Sequence, residues 1–193
     1  MATRAPALRP DERRAAIVAA TLPLLLERGL NLSTRQIAEA AGIAEGTIFG
    51  VFPDKEAVVQ AVLQAALDPE PTERALAAID RSLRFEDQLA NAVHIIQDRM
   101  NHIWRVLSSA GEASAPRTPP VDLVGLVDIF EAERTHLRTD PVTAARQLRA
   151  ITLAVSHPML FAGEPLTAPE IVALLLDGIH APDSRRDRKG GDR

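Results

Sequence analysis

Apolar residues recur along the chain at intervals of three and four and never alternate strictly, the pattern of helices that each bury one face. The clearest stripe is Leu89, Val93, Ile96, Met100, Ile103 and Leu107, which predicts one long helix from Phe85 to about Ala110, packed along its whole length. Punctuation gives the other elements. Pro10 and Asp11 open a first helix that ends at Arg28 and Gly29, with Gly29 suited to a left-handed C′ position. Pro23 inside that helix has no N–H for the Ala19 carbonyl, so a kink is expected there. Ser33, Thr34, Arg35 and Gln36 have the spacing of a capping box and open a short helix ending near Ala41 and Gly42. A third helix is expected from Glu45 to about Val51 and a fourth from Pro53-Asp54 to about Leu67, after which Pro69 and Pro71 break the chain.

Beyond that break the pattern predicts a short helix from Thr72 to about Ser82, the long helix, and a loop over 111–120. Further helices are expected from Val121 to about Leu137 and from Asp140-Pro141 to about Phe161, the latter disturbed at His157-Pro158. Thr167, Pro169 and Glu170 open a last helix to about Ile179. Aromatic residues make up 3% of the chain and Tyr is absent, which argues against strands. The expectation is an all-α chain with a head over residues 10–68 and a body over 72–180, while the Arg-, Asp- and Gly-rich stretch 181–193 reads as a disordered tail.

Composition narrows the function. With 193 residues, 46% of them hydrophobic, the chain can bury a sizeable core. No run of about 18 apolar residues crosses a bilayer, and the first ten residues lack the apolar core of a secretory signal, so a cytoplasmic protein is expected. The absence of Cys removes disulfides, thiolate metal sites and cysteine nucleophiles. The net charge of -4 opposes nucleic-acid binding only until it is divided along the chain. Residues 1–55 hold seven basic and six acidic side chains, whereas residues 56–180 hold ten and seventeen. Acidity therefore sits in the body, and the head remains free to approach phosphates.

The informative segment runs from Ile37 to Phe52. Two short helices separated by about three residues must cross steeply, and this requires a small residue at the crossing, a permissive residue in the turn and an aliphatic anchor on the second helix. Ala38, Gly42 and Ile48 meet these needs in order, and Ile37, Ala41, Ile43 and Phe52 complete an inward face, so the head reads as a helix-turn-helix. Gly46 and Gly50 lie four apart on the outward face with Thr47 beside them. Each Gly costs a helix roughly 1 kcal/mol relative to Ala. Close approach of the backbone to a DNA major groove would account for two of them in so short a helix, and easing of the turn is the alternative for Gly46.

These residues carry a resemblance. The stretch from about Arg13 to Val62, with Ala20, Gly29, Ser33-Thr34, Ile37-Ala38, Ala40 to Ile43, Gly46 to Phe49, Phe52 and Lys55-Glu56, resembles the DNA-binding domain of the tetracycline-repressor (TetR) family of transcriptional regulators. The resemblance covers about a quarter of the chain and implies a homodimer paired through the last two helices, a small-molecule effector pocket in each body, and release of double-stranded operator DNA when the effector binds. Carried over by position, Thr34 and Lys55 contact phosphates at helix N-termini, Arg35 and Thr47 reach base edges, and Glu45, Gly46, Phe49 and Gly50 share the interface. Glu45 is read either as an acceptor from a cytosine amino group or as a solvated helix-start charge. Three positions depart from the family pattern: Ala44 replaces the usual Ser cap, Phe49 a Tyr, and Val51 a His or Tyr.

Met100, Trp104, Phe130, His157 and Phe161, together with Met159, are the large side chains on which an effector pocket would draw, or else ordinary core. His94, Asp98 and His102 fall on one ridge of the long helix and offer a metal-binding alternative, although the ridge adjoins rather than forms the apolar stripe. No nucleophile–base spacing and no phosphate-cradling glycine loop occurs, so neither an enzyme nor a bound cofactor is expected. The competing classes are a helical ligand-binding protein that does not bind DNA and a metal-dependent enzyme built on the His94 ridge.

Overall fold

A computed structural model describes residues 9–111, 121–157 and 164–179. Among these residues there is no strand, and the architecture is all-α. The elements are α1 (Pro10–Arg28), α2 (Thr34–Ala41), α3 (Glu45–Ile48), α4 (Lys55–Leu67), α5 (Glu70–Ala77), α6 (Phe85–Ala110), α7 (Val124–Glu131), α8 (Pro141–Ser156) and α9 (Ala168–Ile179). They divide into two compact units. The first holds the described residues up to 68 together with 101–111, and the second holds 69–100, 121–157 and 164–179.

In the first unit α1 starts at a proline whose missing N–H would be unpaired there in any case, and the Arg9 N–H donates to Glu12 Oε2 at 2.9 Å. Ile17, Thr21 and Leu25 recur every four residues on its buried face, and the Thr21 hydroxyl returns a bond to the Ile17 carbonyl at 2.7 Å. The capping box at α2 forms as its spacing predicts, with Ser33 and Gln36 exchanging bonds of 2.9 and 3.3 Å. Ile17, Leu25, Leu32, Ile37, Ile48, Phe52, Val58, Val62 and Leu63 form the core. Val106 and Ala110 of α6 join it, so the long helix that the sequence reading assigned wholly to the body also completes the head. Gly29 has φ +59° but ψ −146°, so it is not the left-handed cap that was expected; the chain turns there into a short 3-10 segment, Gly29–Asn31.

In the second unit Leu76, Leu89, Val93, Ile96, Leu126, Phe130, Leu148, Ile171 and Leu175 build one core, with Phe85 edge-on to Phe130 at 5.7 Å and 82°. Several bounds differ from expectation. Pro71 stands in the first turn of α5 rather than breaking the chain, because that position needs no N–H. The helix then stops at Ala77, and the Ser82 N–H donates to Asp80 Oδ1 at 2.8 Å in the following turn. Only Val124–Glu131 of the helix expected over Val121 to Leu137 is α-helical. It starts where Glu73 of α5 accepts the N–H groups of Val124 and Gly125 at 2.7 and 2.9 Å, a cap supplied from another helix. Asp140 caps α8 by accepting from the Thr143 N–H at 3.0 Å, and α8 ends at an extended His157, as a residue before proline prefers. The expected loop at 112–120, Met159, Phe161 and the tail from 181 lie outside the described residues.

Candidate nucleic-acid interface

The crossing of α2 and α3 forms from the residues that the spacing singled out. Ala38 is buried at the crossing, Gly42 turns the chain with φ +65° and ψ +33°, and Ile48 is fully buried. Gly42 N–H reaches Glu39 O at 3.2 Å and Ile43 N–H reaches Ala38 O at 3.0 Å, closing the helix end. The second helix is shorter than expected and ends at Ile48. Ala44 provides no side-chain cap, and beyond Ile48 the chain tightens, with Gly50 N–H on Thr47 O at 3.2 Å and Val51 N–H on Ile48 O at 3.0 Å.

What points outward from this pair is nearly bare. Glu45, Gly46 and Gly50 are exposed, Phe49 is 52% exposed, and Thr47 is half-buried. A Cβ built on Gly46 would meet nothing within 4 Å, and its φ is not positive. Neither internal packing nor the turn therefore requires glycine at this position.

The candidate polar groups are engaged within the chain. The Thr34 hydroxyl donates to Glu45 Oε1 at 2.5 Å, so its proton faces a carboxylate across the two helices and its backbone N–H is the donor left for a phosphate. Arg35 Nε donates to Glu39 Oε1 at 3.0 Å in a pair whose arginine side chain is 81% exposed. Such i, i+4 pairs are worth roughly 0.3–0.5 kcal/mol, so this pair holds Arg35 only weakly. Lys55 Nζ donates to the Leu30 carbonyl at 3.2 Å, which holds the start of α4 against the 3-10 segment that follows α1. Sequence reasoning missed Arg14 of α1, whose guanidinium carbon sits 4.2 Å over the Phe52 ring and whose Nη1 donates to the Val51 carbonyl at 3.2 Å. Nothing local in the sequence signals this, because only the folded head brings α1 to the end of the recognition turn.

Of the residues named for an effector pocket, Phe161 lies outside the described residues. Phe130 is fully buried in the core beside Phe85. Met100 packs half-buried against that core, and Trp104 and His157 are half-buried. A cavity of about 480 Å³ lies in the first unit, between Ala15, Val18, Ala19 and Leu22 of α1 and Val62, Ala65 and Ala66 of α4, with Asp11, Arg14 and His102 also in its walls. Among the described residues no group of three His, Cys, Asp or Glu is placed to hold a metal, and no helix is long and apolar enough to cross a membrane.

Residues 17–62, the segment that builds this crossed pair and its supporting helices, match the family described as bacterial regulatory proteins, tetR family. Within those residues the head of this chain is that of the tetR family. The chain is a DNA-binding transcriptional regulator with an all-α, two-unit fold. A TetR-family transcriptional regulator of Haemophilus influenzae is similar over 89% of this chain and 98% of its own, at 16% identity and a TM-score of 0.58. NalD of Pseudomonas aeruginosa, described as the secondary repressor of a multidrug efflux pump, is similar over 90% and 100% at 22% identity and 0.50. The flavonoid-responsive regulator FrrA is similar over 90% and 100% at 19% identity and 0.50. At these identities the likeness is one of fold. No curated protein matches the chain. In this tetR-family head the matched segment contains every residue named for DNA contact, from Thr34 to Lys55.

Proposed function

We propose that the protein is a homodimeric repressor that occupies a palindromic operator in the cytoplasm and leaves it when a small molecule binds the helical body. Each head sets α3 in a major groove, with half-sites about one helical turn, roughly 34 Å, apart. The backbone at Gly46 and Gly50 approaches the base edges, Thr47 and Phe49 offer a hydroxyl and an apolar ring to them, and Arg35 leaves Glu39 for a base or phosphate. Lys55 and the N–H of Thr34 hold the flanking backbone. With so few polar side chains on α3, sequence-dependent DNA shape supplies a good share of the selectivity.

The observation that carries this reading is the open space around Gly46, where the sequence gives up helix stability and gains no internal contact. Support for the dimer comes from α9, which buries Ile171, Val172 and Leu175 yet leaves Leu174 54% exposed. Support for effector control and for repression comes from the fold shared with regulators described as flavonoid-responsive and as a repressor. The effector acts by preferring a dimer whose heads no longer match the half-sites, so DNA must weaken effector binding by the same factor. Selection of bound duplexes from a random pool, followed by gel shift with the intact protein and Arg35→Ala, tests the reading. A recurrent two-fold motif that Arg35→Ala binds more weakly supports it; recovery of unrelated sequences, or equal binding by both proteins, opposes it.

A further inference from the structure

The exposed helix that reads DNA is four residues long, far too short to hold its own conformation, and it has no side-chain cap and contains a glycine. Its orientation must come from what grips its two ends. Ile48 anchors it from below, and at the entrance Thr34 and Glu45 join α2 to its first residue. The exit is a tight turn in which the N–H groups of Gly50, Val51 and Phe52 return to Thr47 and Ile48, while Pro53 brings no N–H of its own. The carbonyls at the end of such a turn lack helical partners and favour a nearby cation. Arg14 supplies one: Nη1 donates to Val51 O at 3.2 Å, and the guanidinium carbon lies over Phe52, 4.2 Å from the centroid of a ring that is part of the core of the head and 1% exposed.

We infer that Arg14 is a positioning residue for operator recognition, clamping the exit of the reading helix through Val51 and Phe52 without touching DNA itself. The inference rests on the DNA-binding reading above. Its physical content is a population. Without the clamp the turn after Ile48 samples other arrangements, and operator affinity falls by the fraction of heads no longer in docking geometry. Arginine is specific here because a planar guanidinium both stacks on the ring and aims a donor at the carbonyl, whereas a lysine ammonium offers a point charge on a flexible stem.

The test uses the full-length protein on the duplex selected by the wild type and on a random-sequence duplex, over a salt series. Arg14→Gln should bind the selected duplex about tenfold more weakly, which is about 1.4 kcal/mol. It should keep the wild-type dependence on salt and bind random DNA as the wild type does. Arg14→Lys retains the charge and should fail to restore selective binding, and it decides the matter if Arg14→Gln folds poorly. In the free protein, backbone amide NMR signals of Gly50, Val51 and Phe52 should shift or broaden in either variant while those of α7 to α9 stay in place. Wild-type selectivity in both variants would overturn the inference. So would an equal loss on both duplexes with a salt dependence shallower by about one ion, which would make Arg14 a phosphate contact. If the wild type itself selects no duplex, the DNA-binding reading fails instead, and unmoved NMR signals at residues 50–52 would then refute the clamp on their own.

Discussion

Replacing Gly46 with Ala adds one methyl group to the surface that the account places against DNA, and it should move stability and binding in opposite directions. Within the protein the change is free of conflict, since no atom lies within 4 Å of the new Cβ and the backbone there is in an ordinary right-handed conformation. Glycine costs a helix interior about 0.8–1 kcal/mol relative to alanine, partly through the freedom it gives the unfolded chain. Position 46 is the second residue of a four-residue helix, so half of that, about 0.4–0.5 kcal/mol, is expected. In a unit of this size such a gain raises the melting temperature by roughly 2–4 °C. Against a duplex the methyl group meets a base edge or the groove wall, and the head must withdraw by a few tenths of an ångström or lose a contact worth about 1–3 kcal/mol. The assay pairs a circular-dichroism melt of Gly46→Ala with its fluorescence anisotropy titration on the selected duplex. A variant that melts higher and binds about tenfold more weakly fits the account. Unchanged DNA affinity would mean that the Gly46 face does not touch the groove, and a lower melting temperature would mean that the open space around it is misread.

Three other predictions concern different parts of the molecule. Glu45→Ala removes a carboxylate from beside the phosphates and frees the Thr34 hydroxyl, so DNA binding should tighten several-fold at low salt; weaker binding in the anisotropy titration would instead make Glu45 a reader of cytosine. Gly125→Ala would put a Cβ 2.8 Å from Leu76 Cβ and 3.3 Å from the Glu73 carboxylate that caps α7, so it should cost about 1–3 kcal/mol in urea unfolding, and a neutral result would contradict the close α5–α7 packing. Several carboxylates are held below their ordinary titration range: Glu12 by the Arg9 side chain, Asp122 by the Arg146 guanidinium, and Asp140 and Glu170 by hydrogen bonds from Thr143 and Thr167. Their folded values lie under their unfolded ones, so the stability they contribute is fully present above the ordinary carboxylate values and is lost as pH falls below them. Urea midpoints should therefore hold down to about pH 5 and then decline, less steeply for Asp140→Asn than for the wild type.

Much of the head was legible because its determinants are local. The capping box at Ser33, the left-handed turn at Gly42 and the small-residue crossing at Ala38 each depend on side chains within a few positions, and each formed as its spacing required. Element bounds were less legible wherever the deciding partner is distant. The start of α7 is set by Glu73, some fifty residues earlier, and the stretch after Glu131 winds as a 3-10 turn pinned by the Arg134–Glu131 and His136–Glu133 pairs. The extent of α6 was plain from its stripe, but which unit each end of it serves depends on what packs there, Ile96 with the second core and Val106 with the first. At the interface the exposed glycines pointed to the reading helix, while the bond from Thr34 to Glu45 and the seat of Arg14 on Phe52 appear only once the helices are crossed. A large apolar side chain such as Phe130, buried here in the core, carries no mark in the sequence that separates a cavity wall from a core.

Amide hydrogen exchange of the full-length protein with and without the selected duplex measures most directly whether the outward face of α2 and α3 is what meets DNA. Slowed exchange is expected at residues 34–36 and 45–55 on adding the duplex, with the interior of the second unit unchanged. Protection confined to α8 and α9, or none in the segment from Thr34 to Lys55 under conditions where the duplex is bound, would contradict it.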